Sequence, residues 1–397
     1  MRHLVPFLLA LLAMLGGCAT APPRITVPPP ALFADSAFKP PSETIGADGL
    51  FTLSPAMRDY LHSPAFAAQL RGKSRERGLV DALYSKSDLM LEYEASKTRT
   101  AAETYAARAG NCLSLVIMTA AFARELGLTV RFQNVIADGT WGREGGLFLV
   151  ASHVNITLAQ RRANSFQYDT ANGRELVVDF LMPSAAESFH TRELDEGDIV
   201  ALYLNNRAAE TLVQGRVDDA YWWARAAVHA NPRSEVAYNT LGVIYQRRGE
   251  PALAERAFRA ALERQPDSLP VLQNLGPLLA RLGRLDEAQA LAQRAAIIEP
   301  TPPYHYFNQG MAALQRGDNR IARDLFKREV ARAPYNDEFH FWLAVAHLRL
   351  GEAEQARTQL VLARDNSTRR DMREAYSAKL AHLRQSGEGR TRRTYIQ

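Results

Sequence analysis

The sequence has few cysteines, no dense block of charge and no histidine spacing typical of a metal site. Only two of its 397 residues are cysteine, Cys18 and Cys112. The net charge of +5 comes from basic residues scattered among acids, with one cluster at Arg390, Arg392 and Arg393. A nucleic-acid-binding surface needs a concentrated basic patch, so we expect none. We also expect no metal and no cofactor. The length and ordinary composition of the chain predict a globular protein of about two to three domains.

Residues 1–18 have the pattern of an export signal. A positive start and an apolar run from Leu4 to Leu15 precede Cys18. The ending Leu-Gly-Gly-Cys resembles a bacterial lipobox, whose cysteine becomes the lipidated first residue of the mature protein. The next two residues are Ala-Thr rather than the aspartate typical of inner-membrane retention. The sequence therefore predicts a signal peptide at 1–18 and a lipid anchor at Cys18, in the bacterial envelope and facing the periplasm from the outer membrane. The alternative is an ordinary secretory signal with an incidental cysteine.

Residues 19–50 contain seven prolines and little apolar periodicity. Such a composition favours an extended, poorly packed tether between the membrane and the folded body. We expect order to begin near Ser54-Pro55, a favourable cap and first-turn pair for a helix.

Residues 51–195 combine helical and strand patterns. Two or three helices are expected up to about Arg108, and the run from Cys112 to Leu126 is apolar almost all round, which is typical of a buried helix. Segments rich in Val, Ile and Phe follow at 129–135, 146–159 and 175–181, with turn residues such as Asn172-Gly173 between them. The pattern predicts an α+β domain with a central helix and an antiparallel sheet.

The rest of the chain repeats at a constant interval. Glycine recurs in register at 215, 249, 283, 317 and 351, alanine five residues after each, and proline at 232, 266, 300 and 334. Glycine ends a helix, the small alanine permits close helix approach, and proline marks the turn into the next unit. This 34-residue period resembles the tetratricopeptide repeat. It predicts an all-α solenoid over 201–385, with five repeats and a capping helix, and a basic tail at 386–397.

Three residues of the α+β domain have the chemistry of an activated thiol. Cys112 opens the buried helix, where the helix dipole favours a thiolate. His153 and Asp179 each lie inside an apolar strand and need a partner there. A thiolate, an imidazole base and an orienting carboxylate together form a nucleophilic arrangement. Structural roles for the cysteine and histidine are the alternatives, and Asp169 competes with Asp179.

The stretch from Thr98 to Cys112, with Ala121-Phe-Ala-Arg-Glu-Leu-Gly-Leu-Thr-Val-Arg131 after it, is similar to the core of the bacterial transglutaminase-like superfamily. Members have an Arg-x-Gly-x-Cys motif opening a central helix, then His and Asp on successive strands. The resemblance implies a papain-like thiol fold over about 75–185 and the catalytic order Cys112, His153, Asp179. Where many members have tryptophan soon after the histidine, this chain has Asn155, which we take as a supporting residue behind the triad. An oxyanion donor is expected from the backbone N–H of Cys112, with Tyr105 or Trp141 as candidate partners.

The repeats are expected to bind a protein or peptide partner. Candidate contacts on the first helices are Asn239, Gln246, Arg247, Gln273 and Arg281, and Trp222-Trp223 is expected to pack against the preceding domain. The predicted function is an envelope-anchored thiol enzyme that hydrolyses or transfers at an amide bond. The alternative is a catalytically silent repeat adaptor or scaffold.

Overall fold

The computed structural model describes residues 28–84, 91–94, 97–136, 141–144, 147–150, 153–160, 175–180, 190–301, 304–367 and 369–394. The predicted signal peptide with Cys18, the start of the predicted tether, Asp169 and the turn at Asn172-Gly173 lie outside the described residues. None of the helices in these ranges is long and apolar enough to cross a membrane.

Short helices and strands precede a long central helix. Their bounds are α1 Pro55–Leu61, α2 Pro64–Leu70, α3 Arg75–Tyr84, β1 Glu92–Tyr93, α4 Ala101–Ala107, β2 Ala109–Gly110 and α5 Cys112–Glu125. Helices α1 and α2 each begin at a Ser-Pro pair, in which the serine side chain accepts a backbone N–H and proline occupies the first position. Helix α5 is buried from Cys112 through Ala123, as its apolar run predicts.

A four-stranded antiparallel sheet packs with α5. Its strands are β3 Leu128–Ile136, β6 His153–Gln160, β7 Leu176–Val178 and β8 His190–Leu194, and β4 Trp141–Glu144 and β5 Leu147–Val150 form a separate hairpin. The strand order in the sheet is β7-β6-β3-β8. Directly paired residues on one face of the sheet, Phe132, Ile156, Val178 and Leu194, lie in the hydrophobic core. The sequence predicted β3, β7 and a single segment at 146–159 that contains both β5 and β6, but not the short strands β1, β2, β4 and β8.

Residues 28–50, which we call the N-terminal arm, pack against the first two repeats. The expectation that residues 19–50 remain poorly packed is therefore wrong for the arm. Leu32 and Phe38 are buried, and the Phe38 ring stacks on the Tyr221 ring at a centroid distance of 3.9 Å. The apolar residues between the prolines therefore pack against the repeats, which the high proline content of this segment did not predict.

The arm contains two short 3-10 helices, Pro30–Leu32 and Asp35–Ala37, and carbonyl oxygens of the arm accept hydrogen bonds from the repeats. Tyr245 Oη and Trp222 Nε1 donate to the oxygens of Leu32 and Lys39, both at 2.7 Å. Trp223 Nε1 donates to Glu43 at 3.0 Å. The Trp222-Trp223 pair therefore holds the arm, whereas the sequence predicted that it packs against the preceding domain.

Paired helices fill the remainder of the described chain. They are α6 Glu196–Val213, α7 Val217–Ala230, α8 Glu235–Arg248, α9 Pro251–Arg264, α10 Leu269–Arg281, α11 Leu285–Ile298, α12 His305–Arg316, α13 Asn319–Arg332, α14 Asp337–Arg349, α15 Ala353–Asn366 and α16 Arg370–Thr394. Gly249 and Gly317 end their helices in the left-handed conformation, with φ of 87° and 86°. These pairs confirm the predicted all-α solenoid. Helix α16 continues to Thr394, beyond the predicted end near residue 385.

The second and fourth repeats span about residues 235–268 and 303–336. A glycine inside the first helix of each lets a phenylalanine of the second helix pack against the backbone. A Cβ added at Gly242 would lie 2.5 Å from the Phe258 ring, and one at Gly310 would lie 2.6 Å from the Phe326 ring. In repeat three, Ala292 occupies the position that corresponds to these phenylalanines. The nearest atom to a Cβ at Gly276 is then 3.8 Å away. Repeat three is therefore less tightly filled.

Replacing Gly242 by alanine is expected to destabilise the protein by about 1–3 kcal/mol, because the added methyl group overpacks the contact with Phe258. Gly46→Ala is the control and should be neutral or stabilising by up to ~1 kcal/mol, because the nearest atom to an added Cβ there is 3.9 Å away. Urea unfolding followed by circular dichroism measures both. Equal losses in the two variants would contradict the tight contact between Gly242 and Phe258.

Candidate active site

The turn before α5 explains the spacing of the Arg-x-Gly-x-Cys motif. Arg108 ends α4 in the left-handed conformation, with φ of 53°, and its guanidinium lies 4.3 Å from the centre of the Tyr105 ring. Gly110 follows in β2, where a Cβ would lie only 2.7 Å from the Cβ of Ser114. Glycine is therefore required so that the chain can pass close to the first turn of α5.

Cys112 is the first residue of α5, immediately after the capping residue Asn111. The Asn111 side chain accepts the backbone N–H of Ser114 at 2.9 Å. Cys112 is buried and is not in a disulfide. At this position the residue lies at the positive end of the helix dipole, which favours an anion.

His153 and Asp179 are brought together by the pairing of β6 and β7. His153 is the first residue of β6, and Asp179 directly follows β7. Nε2 of His153 lies 2.8 Å from both carboxylate oxygens of Asp179. Tyr84 supports this corner from α3, because its hydroxyl donates to the Asp179 backbone oxygen at 2.5 Å. The imidazole is almost fully buried, whereas the carboxylate is partly open to solvent.

The Cys112 thiol is a close neighbour of the His153 imidazole. Burial alone lowers the pKa of His153, but the Asp179 carboxylate and the Cys112 thiol outweigh it and raise that pKa to about 9. Nε2 is occupied by Asp179, and Nδ1 has no hydrogen-bond partner among the described residues. Nδ1 is therefore the ring nitrogen that remains for the sulfur. The structure thus places Cys112, His153 and Asp179 in one contiguous group.

Tyr93 belongs to this group, although the sequence analysis did not identify it. It lies on β1, which pairs in parallel with β2 and so aligns Tyr93 with Gly110, two residues before Cys112. Burial raises the pKa of Tyr93 well above its ordinary value, and the neighbouring Cys112 raises it further. The Tyr93 hydroxyl also accepts the backbone N–H of Cys112. That N–H was the predicted oxyanion donor, and here it is used within the protein.

The sequence also predicted Asn155, Tyr105 and Trp141 as residues of this site. Asn155 is buried two residues along β6 from His153, on the same face of the strand. Its amide oxygen has no hydrogen-bond partner among the described residues. Tyr105 packs in the core against Phe122 and Tyr60. The side chain of Trp141 lies outside the described part.

The predicted partner-binding residues lie along α8 and α10. Asn239 and Gln273 are half-buried, and Arg247 and Arg281 are exposed at the ends of their helices. Asn274 donates to Asn239 at 2.9 Å, which links the two helices. No cluster of metal-ligating side chains occurs among the residues that the structure describes.

Comparison with known proteins identifies the repeats. Two family models, both described as tetratricopeptide repeat, match residues 233–296 and 307–367. Among solved structures, the chain is similar to YrrB, described as a TPR protein with an unusual peptide-binding site, at 21% identity over 45% of this chain and 91% of that chain, with a TM-score of 0.25.

Two further structures have similar statistics. TTC0263 of Thermus thermophilus is 20% identical over 46% of this chain and 99% of its own, with a TM-score of 0.30. PilF of Pseudomonas aeruginosa is 22% identical over 48% and 94%, with a TM-score of 0.28. We base no conclusion on likenesses of this size. The two family models, together with the 34-residue period, show that the second half of this chain is built of tetratricopeptide repeats.

Proposed function

We propose that this chain is a thiol enzyme that cleaves or transfers at an amide bond and that binds a protein partner through its repeats. The observation that carries the proposal is the buried contact of His153 with both Cys112 and Asp179. A structural cysteine needs neither a histidine at its sulfur nor a carboxylate behind that histidine. The resemblance of the surrounding sequence to the transglutaminase-like superfamily supports the same chemistry.

In this mechanism the sulfur of Cys112 attacks the carbonyl carbon of the amide. The carbon–nitrogen bond breaks as a thioester forms, and the leaving amine takes its proton from the His153 imidazolium. Water or a second amine then attacks the thioester and returns its proton to His153, which regenerates the thiolate–imidazolium pair. Asp179 keeps the ring oriented and stabilises its charged form. The Tyr93 hydroxyl is the group beside the sulfur that could donate to the developing oxyanion.

The alternative is an adaptor that binds partners without catalysis. The family models match only within the repeats, and tetratricopeptide repeats bind proteins and peptides, so those matches favour an adaptor at least as well as an enzyme. The two functions differ in whether Cys112 is activated. The contacts around His153 favour the enzyme, and the reactivity of Cys112 decides between them.

We further propose that the protein is anchored in the cell envelope through a lipid on Cys18. This rests on the sequence of residues 1–18 alone. Such an anchor would place the thiol site and the repeats in the periplasm, near other envelope proteins.

His153→Ala is expected to slow the alkylation of Cys112 by iodoacetamide by roughly tenfold or more at pH 7, because the variant loses the group that stabilises the thiolate. Mass spectrometry of the Cys112 peptide over time measures the rate. His229→Ala is the control, since His229 stacks on Phe33 of the arm. If both variants are labelled as fast as the wild type, the thiol is not activated and the adaptor remains as the function.

The protein is expected to lose stability from the His153–Asp179 pair as the pH rises. His153 has a pKa of about 9 in the folded state, above its ordinary value of 6.5, so folding favours the charged ring. The stabilisation is complete below about pH 6.5 and disappears as the pH rises through about 9. The difference in unfolding free energy between wild type and Asp179→Asn should therefore shrink over this range. Asp81→Asn, which loses an ion pair with Lys73, should show no such trend.

Cys18→Ser is expected to prevent incorporation of labelled palmitate and to move the protein from the membrane fraction to the soluble fraction. The hydroxyl cannot receive the lipid that the thiol receives. Cys112→Ser is the matched control and should keep both the label and the membrane location. Unchanged fractionation of the Cys18 variant would contradict a lipid anchor at this residue.

A further inference from the structure

A buried chain of hydrogen bonds connects the first repeat to the cap of α5. Glu210, on α6, accepts the backbone N–H of Thr98 at 2.7 Å, and the Thr98 hydroxyl is close enough to the carboxylate to lower its pKa. The same hydroxyl accepts a hydrogen bond from Asn111 Nδ2 at 2.7 Å. Thr98 is fully buried, so water does not compete for these bonds.

The ionised carboxylate of Glu210 determines which group donates and which accepts along this series of hydrogen bonds. It can only accept hydrogen bonds, so the Thr98 hydroxyl must donate to Glu210 and keep its lone pairs for Asn111. Asn111 must then turn its NH₂ group toward Thr98 and its oxygen toward the helix. That oxygen accepts both the N–H and the hydroxyl of Ser114, at 2.9 and 2.8 Å. The position of the charge on α6 thus fixes the orientation of the cap that directly precedes Cys112.

We propose that Glu210 is a positioning residue for Cys112, and that it acts through Thr98 and Asn111 to hold the first turn of α5. This inference rests on the proposed thiol function. The orienting charge is supplied by a helix of the repeats, so the inference links the repeats physically to the α+β domain that holds Cys112, which we call the thiol domain. A displacement of α6, as on binding of a protein partner, would be transmitted to the cap of α5 and so to the sulfur.

The surroundings of Glu210 make the charge of its carboxylate sensitive to pH. Burial raises the pKa of Glu210 to about 7, although the hydrogen bonds from Thr98 and the charges of Arg207 and Lys97 lower it. The other ionisable groups of this region are Tyr203 on α6, Glu103 on α4 and Glu43 of the arm. Protonation of Glu210 near neutral pH would let the Thr98 hydroxyl turn, and the direction of the chain would no longer be fixed.

The test is the rate of Cys112 alkylation by iodoacetamide in the full chain, from pH 5.5 to 8.5, with melting temperatures measured in parallel. In Glu210→Gln the rate is expected to fall roughly tenfold at pH 7.5, because an amide can both donate and accept and so no longer fixes the direction of the Thr98 hydroxyl, and the inflection near pH 7 should disappear. Thr98→Val, which keeps the shape of the side chain without its hydroxyl, should have the same effect. Thr98→Ser, which restores the hydroxyl, should recover the wild-type rate.

Glu196→Gln is the matched control. Glu196 lies on the same helix and also contacts α5, through Arg124 at the opposite end of α5, at 2.6 Å. It should leave the rate and its pH profile unchanged. Equal rates in Glu210→Gln and Glu196→Gln, in a protein whose alkylation still depends on His153, would overturn the relay but not the thiol function. Loss of the His153 dependence itself would overturn the thiol function. A drop in melting temperature with an unchanged rate would show a structural role only, which also overturns the proposal.

Discussion

The structure of the candidate site depends on burying the first turn of a helix. The first N–H groups of any helix lack partners within it, and in the interior they must be satisfied by protein atoms. Here Asn111 takes the N–H of Ser114, and the Tyr93 hydroxyl takes that of Cys112. A cysteine held at such a point lies at the positive end of the helix dipole. The reactivity that we propose for Cys112 is thus a consequence of how the protein satisfies a buried backbone.

A single hydrophobic core joins the domain that holds Cys112 to the first repeats. It runs from α5 through those repeats to α10, where Val271 and Leu275 belong to it. The arm completes it from outside, with Phe38 between Tyr221 and Tyr245. Because the thiol domain and the first repeats share this core, a polar group on α6 can reach the cap of α5 at all.

The parts of the molecule that the sequence predicted are those with regular spacing. The 34-residue period predicted the solenoid, and the apolar run after Cys112 predicted a buried helix because each pattern reports burial directly. His153 and Asp179 were predicted because a polar side chain inside an apolar strand needs a partner, and Cys112 because it opens the buried helix. Tyr93 and Glu210 carry no such signal, since β1 is two residues long and Glu210 occupies an ordinary helical position. Their roles arise only from contacts between distant segments. The arm was misjudged because its prolines concealed Leu32 and Phe38.

The hydrophobic core of the repeats is divided, and the division lies where the sequence departs from the 34-residue repeat pattern. Ala292 replaces the phenylalanine of repeats two and four, and none of the residues of α11, all of which the structure describes, is buried. Beyond it a second core begins at Tyr304, separate from the first. The start of α12 is capped from within that second part, because Glu329 on α13 accepts the N–H groups of Tyr306 and Phe307. Glu329 stands where the repeat pattern has alanine at 261, 295 and 363. The start of α12 is thus satisfied within the second core, whereas the first repeats share their core with the domain that holds Cys112.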